Sequence, residues 1–185
     1  MRRLLAVVVA MAVAGALIGA AWAVLAPPVH GAVALTRKGD RVHVYLGSEA
    51  DHFFVSAVIM VGLLTSAAVV TAVLVWQWRR QRGPWMVIAL TLGGIAGAGA
   101  ATAGGAALAR LRYGAVDVAG APISPEHRVH YVTEAPTVFF GHAPLQVLAT
   151  LLVPAVAAAL TYAALAAGSA HDDLGVDASV PETAG

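Results

Sequence analysis

The chain has 185 residues, 59% of them hydrophobic and only 11% charged, with a formal net charge of +1 and a mean hydropathy of +0.79. Soluble domains carry roughly a quarter charged residues, disordered chains are poor in apolar ones, and a near-zero net charge gives no basic field for nucleic acid. With no cysteine there is no disulfide, thiol nucleophile or thiolate metal site, and an integral membrane protein is what remains.

A hydrocarbon core about 30 Å thick is crossed by about 20 apolar residues in helical form, the form that satisfies its own backbone in lipid. Four segments qualify without an internal charge: residues 4–26, 53–78, 85–108 and 145–167. The first follows Met1-Arg2-Arg3 and contains Ala21-Trp22-Ala23, features of a secretory signal. Its uncharged run is longer than the usual signal core of about 7–15 residues, so a retained membrane helix is expected. It carries Gly15 and Gly19 at four-residue spacing.

The first outer loop, 27–52, reads as a β-hairpin: Ala32–Thr36, a turn at Arg37-Lys38-Gly39-Asp40, and a return over Arg41–Tyr45. Val42 and Val44 fall on one face of the return strand, His43 and Tyr45 on the other. Ser48 is placed to cap the second span, with Glu49 and Asp51 complementing its positive end. Trp76, Trp78 and Trp85 flank Arg79, Arg80 and Arg82 as an interfacial aromatic belt. In the third span Gly93, Gly97, Ala101 and Gly105 form a nearly smooth ridge. Association in lipid rests on close van der Waals contact, so the first and third spans are expected to cross closely through these small residues.

The second outer loop, 109–144, offers Ala115–Val118 as a strand, a helix start at Ser124-Pro125-Glu126, and a strand over Val129–Thr133. Phe139 and Phe140 are placed as an interfacial anchor. An isolated hairpin is marginal in water, so strands from both loops should join in one small sheet. Pro154 removes a backbone donor within the fourth span and frees the carbonyl of Thr150. Residues 171–185 form an acidic tail, expected to be cytoplasmic and disordered.

Arg2, Arg3, Arg79, Arg80 and Arg82 crowd two very short segments on one side of the membrane. Arg37, Lys38, Arg41, Arg110, Arg112 and Arg128 are spread through the longer loops among six carboxylates. Positive charge density near the span ends places both termini in the cytoplasm of a plasma-membrane protein. The fold expected is an all-α membrane protein, a four-helix transmembrane bundle with an extracytoplasmic β cap formed by the 1–2 and 3–4 loops.

Ion-coupled transporters and proton relays keep ionisable groups within their spans, and here the spans hold no charged residue and no histidine. Six histidines lie in or beside the loops. His43, His52, His127, His130 and His142, with Glu126, could supply imidazole and carboxylate ligands to a metal or titrate as a pH sensor. Their spacing matches no established metal signature. No nucleophile and base set stands out, so the chain is expected not to be an enzyme and to need no cofactor.

Tyr45–Phe54, Val75–Arg79, Arg110–Ala115 with Asp117, His127–Val129, Tyr131–Thr133, Phe139–Gly141 and Asp172–Gly175 are distinctive strings. Together they resemble an uncharacterised family of mycobacterial and related actinobacterial membrane proteins. The resemblance spans nearly the whole chain; it implies an envelope setting and brings no functional residues. Together these features point to a non-enzymatic accessory or scaffold subunit of a cell-envelope complex. Its expected partners are the lipid bilayer and another membrane protein or a second copy of the chain. The alternatives are a transport-related protein for a lipid or apolar solute, and an extracytoplasmic metal or pH sensor.

Overall fold

The structure, a computed structural model, describes residues 2–169; the tail expected over 171–185 lies outside the described residues. In chain order the elements are α1 (Arg2–Leu25), β1 (Val29–Leu35), β2 (Arg41–Tyr45), α2 (Asp51–Trp76), α3 (Pro84–Tyr113), β3 (Val129–Glu134) and α4 (Pro144–Ala167), with one 3-10 turn at Arg79–Gln81. All four helices are long and apolar enough to cross a membrane. At 30 residues α3 is about 45 Å long. That exceeds a hydrocarbon core, so its last turn carries Arg110 and Arg112, whose charge suits the negative helix end.

Packing runs around the bundle in the order α1, α3, α4, α2, with α1 against α3 the most extensive contact. The chain reverses direction between successive spans, so α1 and α3 run parallel. Their seam is built from absent side chains. A Cβ on Gly15 would fall on the carbonyl of Gly97, and one on Gly19 on the carbonyl of Ala101. A Cβ on Gly97 would come 2.8 Å from the Met11 carbonyl oxygen, while the Met11 side chain fills the space over Gly93. Gly105 faces Trp22. One residue round the helix, Gly94 admits α4, its position for a Cβ lying 2.8 Å from Ala155 Cα. Gly62, Gly99 and Gly104 meet nothing within 4 Å.

Larger side chains fill each end of this seam. Towards the arginine end Val7, Met11, Val75, Met86, Leu90 and Tyr162 are buried together. Tyr162 accepts the Gly83 N–H at 3.1 Å and takes the Trp76 ring edge-on at 5.1 Å. Arg82 lies 4.1 Å over that indole and donates to the Trp76 carbonyl. Trp76 is therefore a half-buried packing residue, whereas Trp78 and Trp85 stay exposed. At the other end Trp22, Ala26, Met60, Leu64, Ala109 and Val138 cluster. The buried Trp22 indole donates to the Ser56 carbonyl at 2.8 Å, tying α1 to α2.

Beyond this end β2, β1 and β3 form an antiparallel sheet with β1 in the centre. Both outer loops contribute strands, as the alternation of their residues predicts. Three local expectations fail. Ala115–Val118 is not a strand, because the Asp117 carboxylate accepts the Gly120 N–H at 2.9 Å and folds the segment into a turn. Ser124 starts no helix: its N–H donates to the His127 carbonyl and its hydroxyl accepts the His127 N–H, closing a tight turn. Ser48 does not cap α2, which starts at Asp51 with Ala50 at the N-cap and no side-chain cap bond.

Gly15→Ala and Gly97→Leu should each destabilise the purified protein by about 1–3 kcal/mol or more, since the added atoms meet backbone rather than a flexible side chain. Gly99→Ala, in open space, should change stability by no more than about 1 kcal/mol. Thermal unfolding in mild detergent reads the contrast. Equal effects at Gly97 and Gly99 would remove the seam from its structural role.

Candidate functional site

The polar side chains concentrate at the sheet end. Alternation puts Val29, Gly31 and Val33 of β1 on the face turned to the bundle, with His43 and Tyr45 from β2 and His130, Val132 and Glu134 from β3. Val29 and Val33 are fully buried. Gly31 sits between the two edge strands, opposite Tyr45 and Val132. A Cβ there would lie 2.6 Å from His43 Nε2, so its absence lets the imidazole lean across the central strand.

Leaning over, His43 Nε2 reaches to 3.6 Å from a Glu134 oxygen and is buried without a hydrogen-bond partner. That separation is too long for a hydrogen bond and becomes an ion pair when the ring is protonated. The Tyr45 ring meets His43 edge-on at 5.0 Å and Phe53 at 5.4 Å, which fastens the sheet to the first turn of α2. Desolvation of the Tyr45 phenol, then the Glu134 charge and a hydrogen bond to that carboxylate, hold its pKa above the ordinary 10.0.

A second carboxylate organises the loop between β2 and α2. One Glu49 oxygen accepts the His30 backbone N–H at 3.0 Å and lies 2.9 Å from His30 Nδ1 and 3.1 Å from His52 Nδ1. His52 Nδ1 also faces the Pro28 carbonyl at 2.9 Å. Both Nδ1 atoms therefore face acceptors and carry the proton, which orients the rings. The His30 backbone and ring hydrogen bonds, followed by the nearby imidazoles, hold the Glu49 carboxyl below its ordinary 4.5.

The residues proposed from sequence as a metal or pH-sensing set do not converge. His43 and His52 belong to these two separate carboxylate centres. His127 lies in the Ser124 turn, where Glu126 accepts the Ser124 hydroxyl at 3.0 Å. His130 is on β3 beside the Tyr113–Pro122 cleft, and His142 is exposed before α4. Among the described residues no group of three or more histidines and carboxylates could hold a metal ion. The helix-packing set, Gly15, Gly19, Gly93, Gly97, Ala101 and Gly105, lies along the α1–α3 seam. Sequence reading missed the pairing of Glu49 with His30 and of Glu134 with His43. The second could be found only from the strand register, since β1 stands between the partners.

The other face of the sheet carries an uncovered apolar patch beside His30 and Thr133. Val42 and Val44 of β2 are 37% and 45% exposed, and Val129 and Tyr131 of β3 are 51% and 70% exposed, flanking Ala32 and Ala34. Phe139 packs on the Trp22 cluster, while Phe140 meets Phe54 at 5.5 Å near the surface.

Because the folded-state pKa of Glu49 is depressed, its contribution to cap stability is present above 4.5 and is lost as pH falls through the lower folded value. Hydrogen exchange at the His30 amide should therefore accelerate, relative to the intrinsic rate, as pH is taken from 6 to 3. Glu49→Gln should exchange faster at pH 6 and show a much flatter profile. An unchanged profile in that variant would remove Glu49 as the source.

A family model described as "Protein of unknown function (DUF2567)" matches residues 11–176. An uncharacterised protein of Mycobacterium leprae, ML1222, is 52% identical over 94% of this chain and 88% of its own length. The uncharacterised Rv1591 of Mycobacterium tuberculosis is 52% identical over 87% of this chain and 84% of its own length. No solved structure matches. On the family match and these identities, this chain belongs to the DUF2567 family of unknown function.

Proposed function

We propose that this is a non-enzymatic four-span protein of the bacterial plasma membrane that serves as an accessory or scaffold subunit of a cell-envelope complex. Both termini and the α2–α3 turn lie in the cytoplasm, and the sheet lies outside. A partner membrane protein, or a second copy of the chain, docks on the outer face of the sheet.

The observation that carries this reading is the contiguous apolar face of Val42, Val44, Val129 and Tyr131, turned away from the bundle. Soluble surfaces rarely leave such a patch unless something covers it. The orientation rests on Arg2, Arg3, Arg79, Arg80 and Arg82 gathering at the opposite end. The engagement of Glu49 with His30 and His52, and of Glu134 with His43 and Tyr45, supports the non-enzymatic reading. A carrier would need a path through the bundle, yet the space where Gly15, Gly97, Leu64 and Pro154 meet is about 20 Å³, room for about one water.

The absence of cysteine makes two tests direct. Val44→Cys should react with a membrane-impermeant maleimide on intact cells, and Gly168→Cys only after permeabilisation; the reverse pattern overturns the orientation. A photo-crosslinking residue in place of Tyr131 should give a discrete larger product, and Tyr131→Asp should lower recovery of the copurified partner at least tenfold. A chain that purifies alone from mild detergent and forms no crosslink would overturn the subunit role.

A further inference from the structure

The end of the bundle opposite the sheet holds an arrangement that the docking role does not use. A cleft of about 640 Å³ lies between the start of α1 and the α2–α3 turn, lined by Arg2, Arg3, Arg80, Arg82 and Trp85 among others. Arg2, Leu4 and Trp85 also line a second groove, of about 430 Å³, continued by Leu5, Val8, Ile88 and Leu92 along the outside of α1 and α3. Arg2, Leu4 and Trp85 line both spaces, so a strongly basic cleft and an apolar groove lie side by side.

Charge and shape both define the occupant. Arg82 is engaged with Trp76. Among the described residues no carboxylate lies at this end: Asp40, Glu49, Asp51, Asp117, Glu126 and Glu134 all belong to the sheet end. The N-terminal ends of α1 and α3 both open here and add partial positive charge. Trp85, Ile88 and Leu92 recur at helical spacing, giving the groove a length of about 10 Å. A free anion would use the cleft and leave the groove empty, whereas an apolar solute would leave the arginines without a counter-charge. A molecule with an anionic head and a hydrocarbon tail fills both.

We propose that this composite pocket binds one anionic phospholipid from the leaflet at this end. Arg2, Arg3 and Arg80 hold its phosphate headgroup, Trp85 sits at the level of the glycerol, and one acyl chain lies in the groove along the outside of α1 and α3.

Native mass spectrometry of the full chain in mild detergent tests this with equal concentrations of dioleoyl phosphatidylglycerol and dioleoyl phosphatidylcholine. The expected result is a single retained phosphatidylglycerol, preferred by about tenfold or more, and not displaced by millimolar inorganic phosphate. Each arginine near a membrane surface contributes about a fivefold factor towards anionic lipid. Arg3→Gln with Arg80→Gln should therefore abolish most of the preference and leave phosphatidylcholine adducts unchanged. Ile88→Trp, which fills the exposed groove, should lower phosphatidylglycerol retention with every arginine intact, and stands as the test should the arginine variant fail to fold. Equal retention of the two lipids, or displacement by inorganic phosphate, would overturn the proposal. So would a preference that survives both variants. It would equally fail if phosphatidylglycerol bound only after Asp172, Asp173, Asp177 and Glu182 were changed to Asn or Gln, because the chain's own acidic residues would then be the occupant.

Discussion

The bundle depends on a close approach between two backbones, those of α1 and α3 at Gly15 and Gly97. In lipid, burying an apolar side chain against another helix gains little, because the surrounding tails are equally apolar. Removing side chains instead lets whole peptide units pack against one another, and many weak dispersion contacts accumulate. The small residues of α3 are arranged for two such neighbours: the Gly93, Gly97, Ala101 and Gly105 ridge meets α1, and Gly94 meets α4 at Ala155. Thus α3 is the spine of the bundle, and α2 closes the ring through α4. The same contact fixes both ends. By holding α1 and α3 parallel, it brings Arg2 and Arg3 to the α2–α3 turn and places the exits of both helices side by side, where β1 and β3 can meet.

The inner face of the sheet mixes polar and apolar residues. His43, Tyr45 and Glu134 face the bundle beside the buried Val29 and Val33, while Val42, Val44 and Val129 face away. Beneath the sheet lie helix ends and turns rather than a wholly apolar core, and these offer polar partners. Arg41 on the same face donates to the carbonyls of Val118 and Ala121. Within the spans polarity is handled differently. Thr71, Thr91, Thr102, Thr150 and Thr161 each donate to the carbonyl one turn back, so no hydroxyl among them needs a partner on another helix.

What could be read from the sequence follows the strength of its periodic signals. The spans, the four-residue spacing of small residues and the alternation in Arg41–Tyr45 and Val129–Thr133 all repeat over several residues and survive folding. Signals carried by one or two residues were overridden. Ser124 followed by Pro125 is a helix start by local chemistry, yet its hydroxyl and N–H both turn to His127. Val116 and Val118 suggest a strand, but Asp117 captures the Gly120 N–H. Ser48 lost the cap of α2 because the chain enters that helix through a succession of tight turns from Leu46 to Ala50. The polar centres were illegible for another reason. His43 and Glu134 are distant in sequence, and only the register on either side of Gly31 makes them neighbours.

The central position of β1 also records an order of assembly. Its first edge is filled by β2, the next strand to be synthesised, but its second edge waits for β3, which follows α3 in the chain. During biogenesis a chain that has produced only α1 and α2 therefore presents an open strand edge with nothing to pair to it. That edge closes only once α3 has entered beside α1 and carried the following loop to the same side. The sheet thus acts as a latch between the two helical hairpins, one that can close only after α3 has been made.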